Sequence, residues 1–158
     1  MTVRQIVIAP ATPGDFPTLA RIYYEVRLAT MTWVDPSLYR ADDFASHAAG
    51  EDVLTAKSPG GKILGFVSVW PADDFIHMLY VEPSSQGHGV GTRLLQALPG
   101  WPTRPYRLKC LTRNTRAKTF YERHGFRVTG NGVSEEGEFE EMSNAVCGGS
   151  SSEASDFR

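Results

Sequence analysis

Three glycines at alternate positions, Gly87, Gly89 and Gly91, stand where a run of β-branched and aromatic residues has just ended and an amphipathic helix begins. No other stretch restricts the fold as much. Phe75 to Val81 reads as a strand, while Gly89 to Leu98 carries Val90, Leu94, Leu95 and Leu98 on one helical face before Pro99-Gly100 stops it. Such a loop exposes successive backbone N–H groups, and the helix start adds unpaired donors with a partial positive charge. The missing Cβ atoms let a ligand reach the main chain. Phosphate oxygens suit this loop.

Two common nucleotide loops do not fit. A Walker A loop ends in Gly-Lys-Ser/Thr, whereas Thr92-Arg93 follows Gly91 here. A dinucleotide fingerprint needs its glycines directly after the strand and an acid about 20 residues on, closing the next strand. Instead, Glu82-Pro83-Ser84-Ser85-Gln86 intervenes, and the next strand is Leu108-Lys109-Cys110-Leu111.

The 158 residues, 41% hydrophobic and 22% charged, match one ordinary soluble domain able to bury a core without disulfides. The N-terminus shows no basic stretch leading into an apolar run, and no window approaches a membrane span, so a cytoplasmic protein with no membrane partner is expected. Cys110 and Cys147 lack CxxC spacing or a His-rich neighbourhood, which gives unpaired thiols and no metal site. The net charge of −2 is unevenly spread: from Gln86 to Arg127 nine Arg or Lys face one acid, Glu122. A small polyanionic ligand fits that segment better than a nucleic acid, which an acidic chain would repel. Solvated helix faces would account for the same charges.

Strands are expected at Val3 to Ala9, broken by Pro10, at Val53 to Lys57 and at Ile63 to Trp70, the latter two joined by Ser58-Pro59-Gly60-Gly61. Leu19, Ile22, Tyr23, Val26 and Ala29 recur at helical spacing, giving a helix from Phe16 to about Thr30. Asp42 or Asp43 caps a shorter helix around Phe44 to Ala49. Further on come a strand from Arg107 to Leu111, a helix from Thr115 to His124, and strands at Phe126 to Gly130 and Glu138 to Val146. Residues 1–146 form one domain, and 147–158 lose all periodicity and read as a disordered tail. The order β-α-α-β-β-β-α-β-α-β-β predicts a mixed sheet with helices on its faces, an α/β domain.

Gln86, Gly89 and Gly91 match the Gln/Arg-x-x-Gly-x-Gly/Ala signature of the GNAT superfamily of N-acetyltransferases. Leu79-Tyr80-Val81-Glu82-Pro83 before the signature and Leu94-Leu95 after it resemble that family's strand, loop and helix. Asn114-x-x-Ala117-x-x-Phe120-Tyr121-x-x-x-Gly125-Phe126 resembles its distal motif, at the usual separation. Two ordered motifs make coincidence hard to sustain. The resemblance, spanning residues 3 to 146, implies a single mixed, mostly antiparallel sheet of six to seven strands, splayed in the middle and flanked by about four helices. It implies acetyl transfer from acetyl-CoA to a primary amine by direct attack in a ternary complex, with no metal. The acceptor would be a small-molecule or peptide amine.

Residue by residue, the resemblance places the cofactor on Leu79, Tyr80, Val81, Gln86, Gly87, His88, Gly89, Val90, Gly91, Thr92, Asn114, Ala117 and Phe120. The pantetheine arm would pair with backbone groups freed at Leu79 and Val81, and the Val81 amide would polarise the thioester carbonyl. Core packing explains the side chains of Leu79 and Val81 equally, and a helix N-cap explains Asn114. Arg116 and Lys118 are candidates for the phosphates, or solvated helix charges. Tyr121 is the candidate general acid toward the departing thiolate.

Many relatives carry a Glu five residues before the motif Asn, where this chain has Lys109, so the base must lie elsewhere. His77, whose residue type titrates near neutrality, and Glu82 are the candidates. Tyr23, Tyr24, Trp33 and Asp35 would line the acceptor site as aromatic walls with a carboxylate. The missing Glu leaves open a non-catalytic acyl-CoA-binding or regulatory domain. A homodimer is likewise open, with no single residue arguing for one.

Overall fold

The computed structural model describes residues 5–145. The expected start of the first strand at Val3, the end of the last at Val146 and the expected disordered tail 147–158 lie outside these residues. Seven strands form one sheet: β1 (Val7–Pro10), β2 (Asp52–Lys57), β3 (Ile63–Trp70), β4 (Phe75–Val81), β5 (Arg107–Leu111), β6 (Arg127–Ser134) and β7 (Gly137–Ser143), in the order β1-β2-β3-β4-β5-β7-β6. Four α-helices complete it: α1 (Phe16–Thr30), α2 (Asp43–His47), α3 (Val90–Gln96) and α4 (Thr115–Arg123).

Several boundaries differ from the sequence reading, each for a local reason. Pro10 pairs with Leu54 and closes β1 instead of breaking it, since an edge strand tolerates a residue without an N–H. Asp42 occupies the N-cap position of α2 without a side-chain cap; Asp43 instead accepts from the Arg40 amide at 2.9 Å. The strand from Phe126 runs on to Ser134, because pairing with β7 along its length carries it through Gly130 and Gly132. Short 3-10 turns at Pro13–Asp15, Pro36–Leu38 and Pro83–Ser85 each start on a proline.

Every neighbouring pair of strands is antiparallel except β4 and β5, which run parallel and touch only at Phe75 with Arg107 and Ile76 with Leu108. Beyond Ile76 the two strands part. On its other side β4 carries a bulge: Ser68 faces Met78 and Val69 faces Ile76, so His77 has no partner in the ladder. Bulges bend a strand and re-aim a side chain. β3, buried along almost its whole length, separates two cores. Leu64, Val67, Val90, Leu94, Leu95, Leu108 and Phe126 fill one, and Leu19, Ile22, Tyr23, Phe44, Phe66 and Met78 fill the other. Helix α1 thus lies against the half of the sheet that opens. Among the described residues no helix is long and apolar enough to cross a membrane.

Candidate active site

The gap between β4 and β5 continues into two cavities. One, of about 580 Å³, is lined by Leu79, Tyr80, Val81, Gln86, Gly87, Gly89, Val90, Gly91, Thr92, Asn114, Ala117 and Phe120. Of the positions expected at the cofactor, only His88 is absent; it is exposed to solvent. Gly87 (φ 83°) and Gly89 (φ 82°) hold the left-handed backbone that a side chain resists, and Gly89 is the N-cap of α3. The Gln86 amide donates to the Val81 carbonyl at 3.0 Å and clamps the loop onto the end of β4. Glu82 donates its N–H to the Leu64 carbonyl, so the antiparallel alternation turns the Leu79 and Val81 N–H groups away from β3 and toward the gap.

Helix α4 supplies the opposite wall. The Asn114 side chain accepts from the Ala117 amide at 3.2 Å, capping the helix that carries Phe120 and Tyr121. Arg116 and Arg123 line this cavity, whereas Lys118 turns aside into an ion pair with Glu140 at 2.9 Å. His124 joins the two walls: its Nδ1 lies 2.7 Å from the Phe120 carbonyl, and its Nε2 2.9 Å from the Thr92 hydroxyl. With Nδ1 donating, Nε2 is free to accept from Thr92.

The second cavity, of about 500 Å³, shares Met31, Leu79, Tyr80, Asn114, Ala117 and Tyr121 with the first. Those shared residues mark the junction. Burial raises the Tyr121 phenol well above its ordinary range, so it stays protonated and keeps its hydroxyl proton to donate at neutral pH. Cys110 also lines the second cavity, but burial pushes its thiol up to about 11 and leaves it a poor nucleophile. Lys109 lies over the Phe139 ring, 4.8 Å from its centroid.

His77 reaches this second cavity with its side chain one-quarter exposed. Its Nδ1 is 2.7 Å from Oε2 of Glu51, whose side chain is fully buried and also accepts from the Ser68 hydroxyl. The carboxylate holds Nδ1, which leaves Nε2 to meet the cavity. The His47 ring lies 6.2 Å from that of His77, its Nδ1 2.7 Å from the Tyr23 hydroxyl. Burial lowers the His47 pKa and favours the neutral ring.

Glu82 lines neither cavity. Its carboxylate accepts from the Ser84 and Ser85 hydroxyls at the turn after β4, and the Ser84 bond above all lowers its pKa, making it a weak base. Of the residues expected around the acceptor, only Tyr23 lines the second cavity. Tyr24 packs with Met31, Val34 and Tyr39. Trp33 spends its indole N–H on the Glu136 carbonyl at 2.9 Å, and Asp35 caps the Pro36–Leu38 turn through the Ser37 amide at 2.9 Å. Both line a separate surface cavity instead. The second cavity is lined in their place by Arg27 of α1, Tyr39 before α2, Asp43 and His47 of α2 and Glu136 of the β6–β7 turn, while the buried side chain of Glu51, between α2 and β2, stands behind His77; no local sequence signal marks any of them.

Comparison with known proteins bears on this geometry. A family model for the acetyltransferase (GNAT) domain matches residues 49–128. The chain is 31% identical over 150 residues to the probable N-acetyltransferase Rv2775 of Mycobacterium tuberculosis, a match spanning 82% of this chain and 84% of that one. The protein belongs to the GNAT acetyltransferases. It is an acetyl-CoA-dependent N-acetyltransferase. Its fold is that of other GNAT proteins: a GCN5-related N-acetyltransferase from Rhodopseudomonas palustris superposes with a TM-score of 0.74 at 21% identity, covering 92% of this chain and 99% of that one. The yncA structure from Salmonella typhimurium, which holds its cofactor acetyl-CoA, superposes with a TM-score of 0.67 at 20% identity, covering 95% and 99%. As a GNAT chain it has the mixed, mostly antiparallel sheet with four flanking helices that its sequence implies.

Proposed function

We propose that this acetyltransferase moves the acetyl group directly from acetyl-CoA to a primary amine, with both substrates bound at once. The observation that carries this reading is the pair of cavities meeting at Leu79, Tyr80, Asn114 and Tyr121. One is walled by glycine backbone and basic side chains, the other by aromatic and titratable groups, so thioester and amine can approach from opposite sides. Arg116 and Arg123 meet the phosphates, the loop from Gln86 to Gly91 cradles them, and the outward N–H groups of Leu79 and Val81 hold the pantetheine arm. The Val81 amide donates to the thioester oxygen as negative charge develops there.

His77 acts as general base, alone or through water, with Nε2 turned to the amine and Glu51 fixing the tautomer. The amine nitrogen bonds to the acyl carbon and yields its proton to His77. Collapse then breaks the carbon–sulfur bond, and the Tyr121 hydroxyl donates to the departing sulfur. A phenol with a raised pKa gives up its proton reluctantly, so hydrogen-bond stabilisation of the thiolate is the larger part of its role. The protonated state of Cys110 favours direct transfer over an acyl-enzyme.

Initial rates with both substrates varied test this reading. Intersecting double-reciprocal lines and no thiol release without amine are expected; parallel lines with an acyl-enzyme seen by mass spectrometry would refute direct attack.

A further inference from the structure

Arg27 is 3% exposed, and a guanidinium cannot shed its charge to ease that burial. The fold instead fixes it. On one edge Nε donates to the Tyr23 carbonyl at 3.0 Å and Nη2 to Asp43 at 3.1 Å, while its plane is sandwiched between the Tyr23 ring at 3.6 Å and the Tyr39 ring at 4.6 Å. Nη1 has no partner among the described residues. No side-chain nitrogen or oxygen among them is both sealed from solvent and unbonded, so Nη1 keeps access to solvent, and Arg27 lines the second cavity. A fixed, permanently charged side chain with a spare donor thus borders the cavity proposed for the amine.

Resting on the acetyl-transfer reading, we propose that the acceptor carries an oxyanion close to its amine, as an α-amino acid does, and that Arg27 binds that carboxylate through Nη1. Arg27 stacks on Tyr23, and the Tyr23 ring lies 5.1 Å from that of Tyr80, which lines both cavities. An α-amino acid separates amine from carboxylate oxygen by three bonds of about 1.2–1.5 Å, with a hydrogen bond of about 2.9 Å added at the Arg27 end. Asp43 offsets part of the guanidinium charge, but it engages only Nη2, through the oxygen that also accepts from the Arg40 amide, so the Nη1 donors stay available. The competing chemistry is a second ammonium on Glu136, whose carboxylate, among the described residues, accepts from the Tyr39 hydroxyl at 2.6 Å. Glu136 is half-buried on the β6–β7 turn and also lines the surface cavity, so it is less firmly built than Arg27.

The test measures thiol release from acetyl-CoA by the full chain with matched acceptors: α-amino acids, the amines left when each loses its carboxylate, and unbranched diamines. A charge-assisted hydrogen bond predicts kcat/KM on the order of tenfold or more higher for the amino acid than for its decarboxylated partner. In Arg27→Lys, which keeps the charge but loses the fork, that ratio should fall toward one. Equal or better turnover of the decarboxylated amines or the diamines by the unaltered protein overturns the proposal without needing any variant. Acetyl-CoA binding with no thiol release from any amine would instead sink the acetyl-transfer reading, and this inference with it.

Discussion

At the scale of the residue, Glu51 is the group with the largest consequence for its size. Its side chain is buried and lies 2.7 Å from Nδ1 of His77, a contact that in the proposed mechanism selects which imidazole nitrogen meets the amine. Glu51→Gln removes that selection while nearly preserving shape, so kcat should fall on the order of 10²-fold or more, as when a triad carboxylate becomes an amide. KM for acetyl-CoA should stay unchanged, because Glu51 lies outside the cofactor cavity; a rise in that KM with kcat intact would mean Glu51 is structural. Tyr121→Phe should cost about 10²-fold in kcat with melting temperature little altered, since the ring contacts to Phe120 and Phe126 remain. Rate measurements with an aryl thioester, whose thiolate leaves without help, should recover most of that loss.

At the scale of the element, the site depends on two strands that stop pairing and on glycines that let their neighbours close in. A Cβ on Gly65 in β3 would sit 2.7 Å from the Tyr80 carbonyl and 3.2 Å from the Val81 Cα, both backbone atoms that cannot swing away. Gly65→Ala should therefore destabilise by about 1–3 kcal/mol, read by chemical denaturation, and push the end of β4 into the cofactor gap. Gly91 differs, for its Cβ would meet the Phe120 ring at 3.0 Å, a side chain that can give way into the cleft. Gly91→Ala should leave stability within about 1 kcal/mol, the helix gain offsetting the contact, yet raise KM for acetyl-CoA several-fold in steady-state assays. The tie from Thr92 to His124 and on to the Phe120 carbonyl holds α3 and α4 at the same opening.

At the scale of the whole molecule, stability and pH are linked through groups that line the acceptor cavity. The His47 pKa is lowered in the folded protein, chiefly by burial, so below about 6.5 the unfolded chain binds a proton that the folded one resists. That contribution is whole above pH 6.5 and erodes as pH falls. Asp43 is lowered as well: burial opposes its ionisation, but the Arg40 amide and the Arg27 guanidinium outweigh it. Its stabilisation is present above about pH 4 and disappears as pH drops through the folded value. Melting temperature should be level from pH 8 to about 6.5, decline gently to pH 5 and steeply below 4, and His47→Gln should flatten the gentle limb alone. Acetyl-CoA, binding only the folded chain, should raise the melting temperature with its concentration.

What is local or periodic was legible in the amino-acid sequence. The bounds of α1, β3, β4 and β5 follow from apolar spacing and flanking turn residues, and the loop from Gln86 to Gly91 from its backbone needs. Those features fix the fold and bring together the residues expected at the cofactor, because a glycine loop between strand and helix and an Asn-capped helix carry their geometry within a few residues. The lining of the second cavity came instead from tertiary packing. Asp35 and Trp33 read as binding groups until the turn and the β6–β7 hairpin were seen to use their polar atoms. Glu51, His47, Arg27 and Glu136 come together from α1, the chain around α2 and the β6–β7 turn. Side chains so far apart in sequence share no period or spacing; the packing of α1 and α2 over the parted strands creates their arrangement.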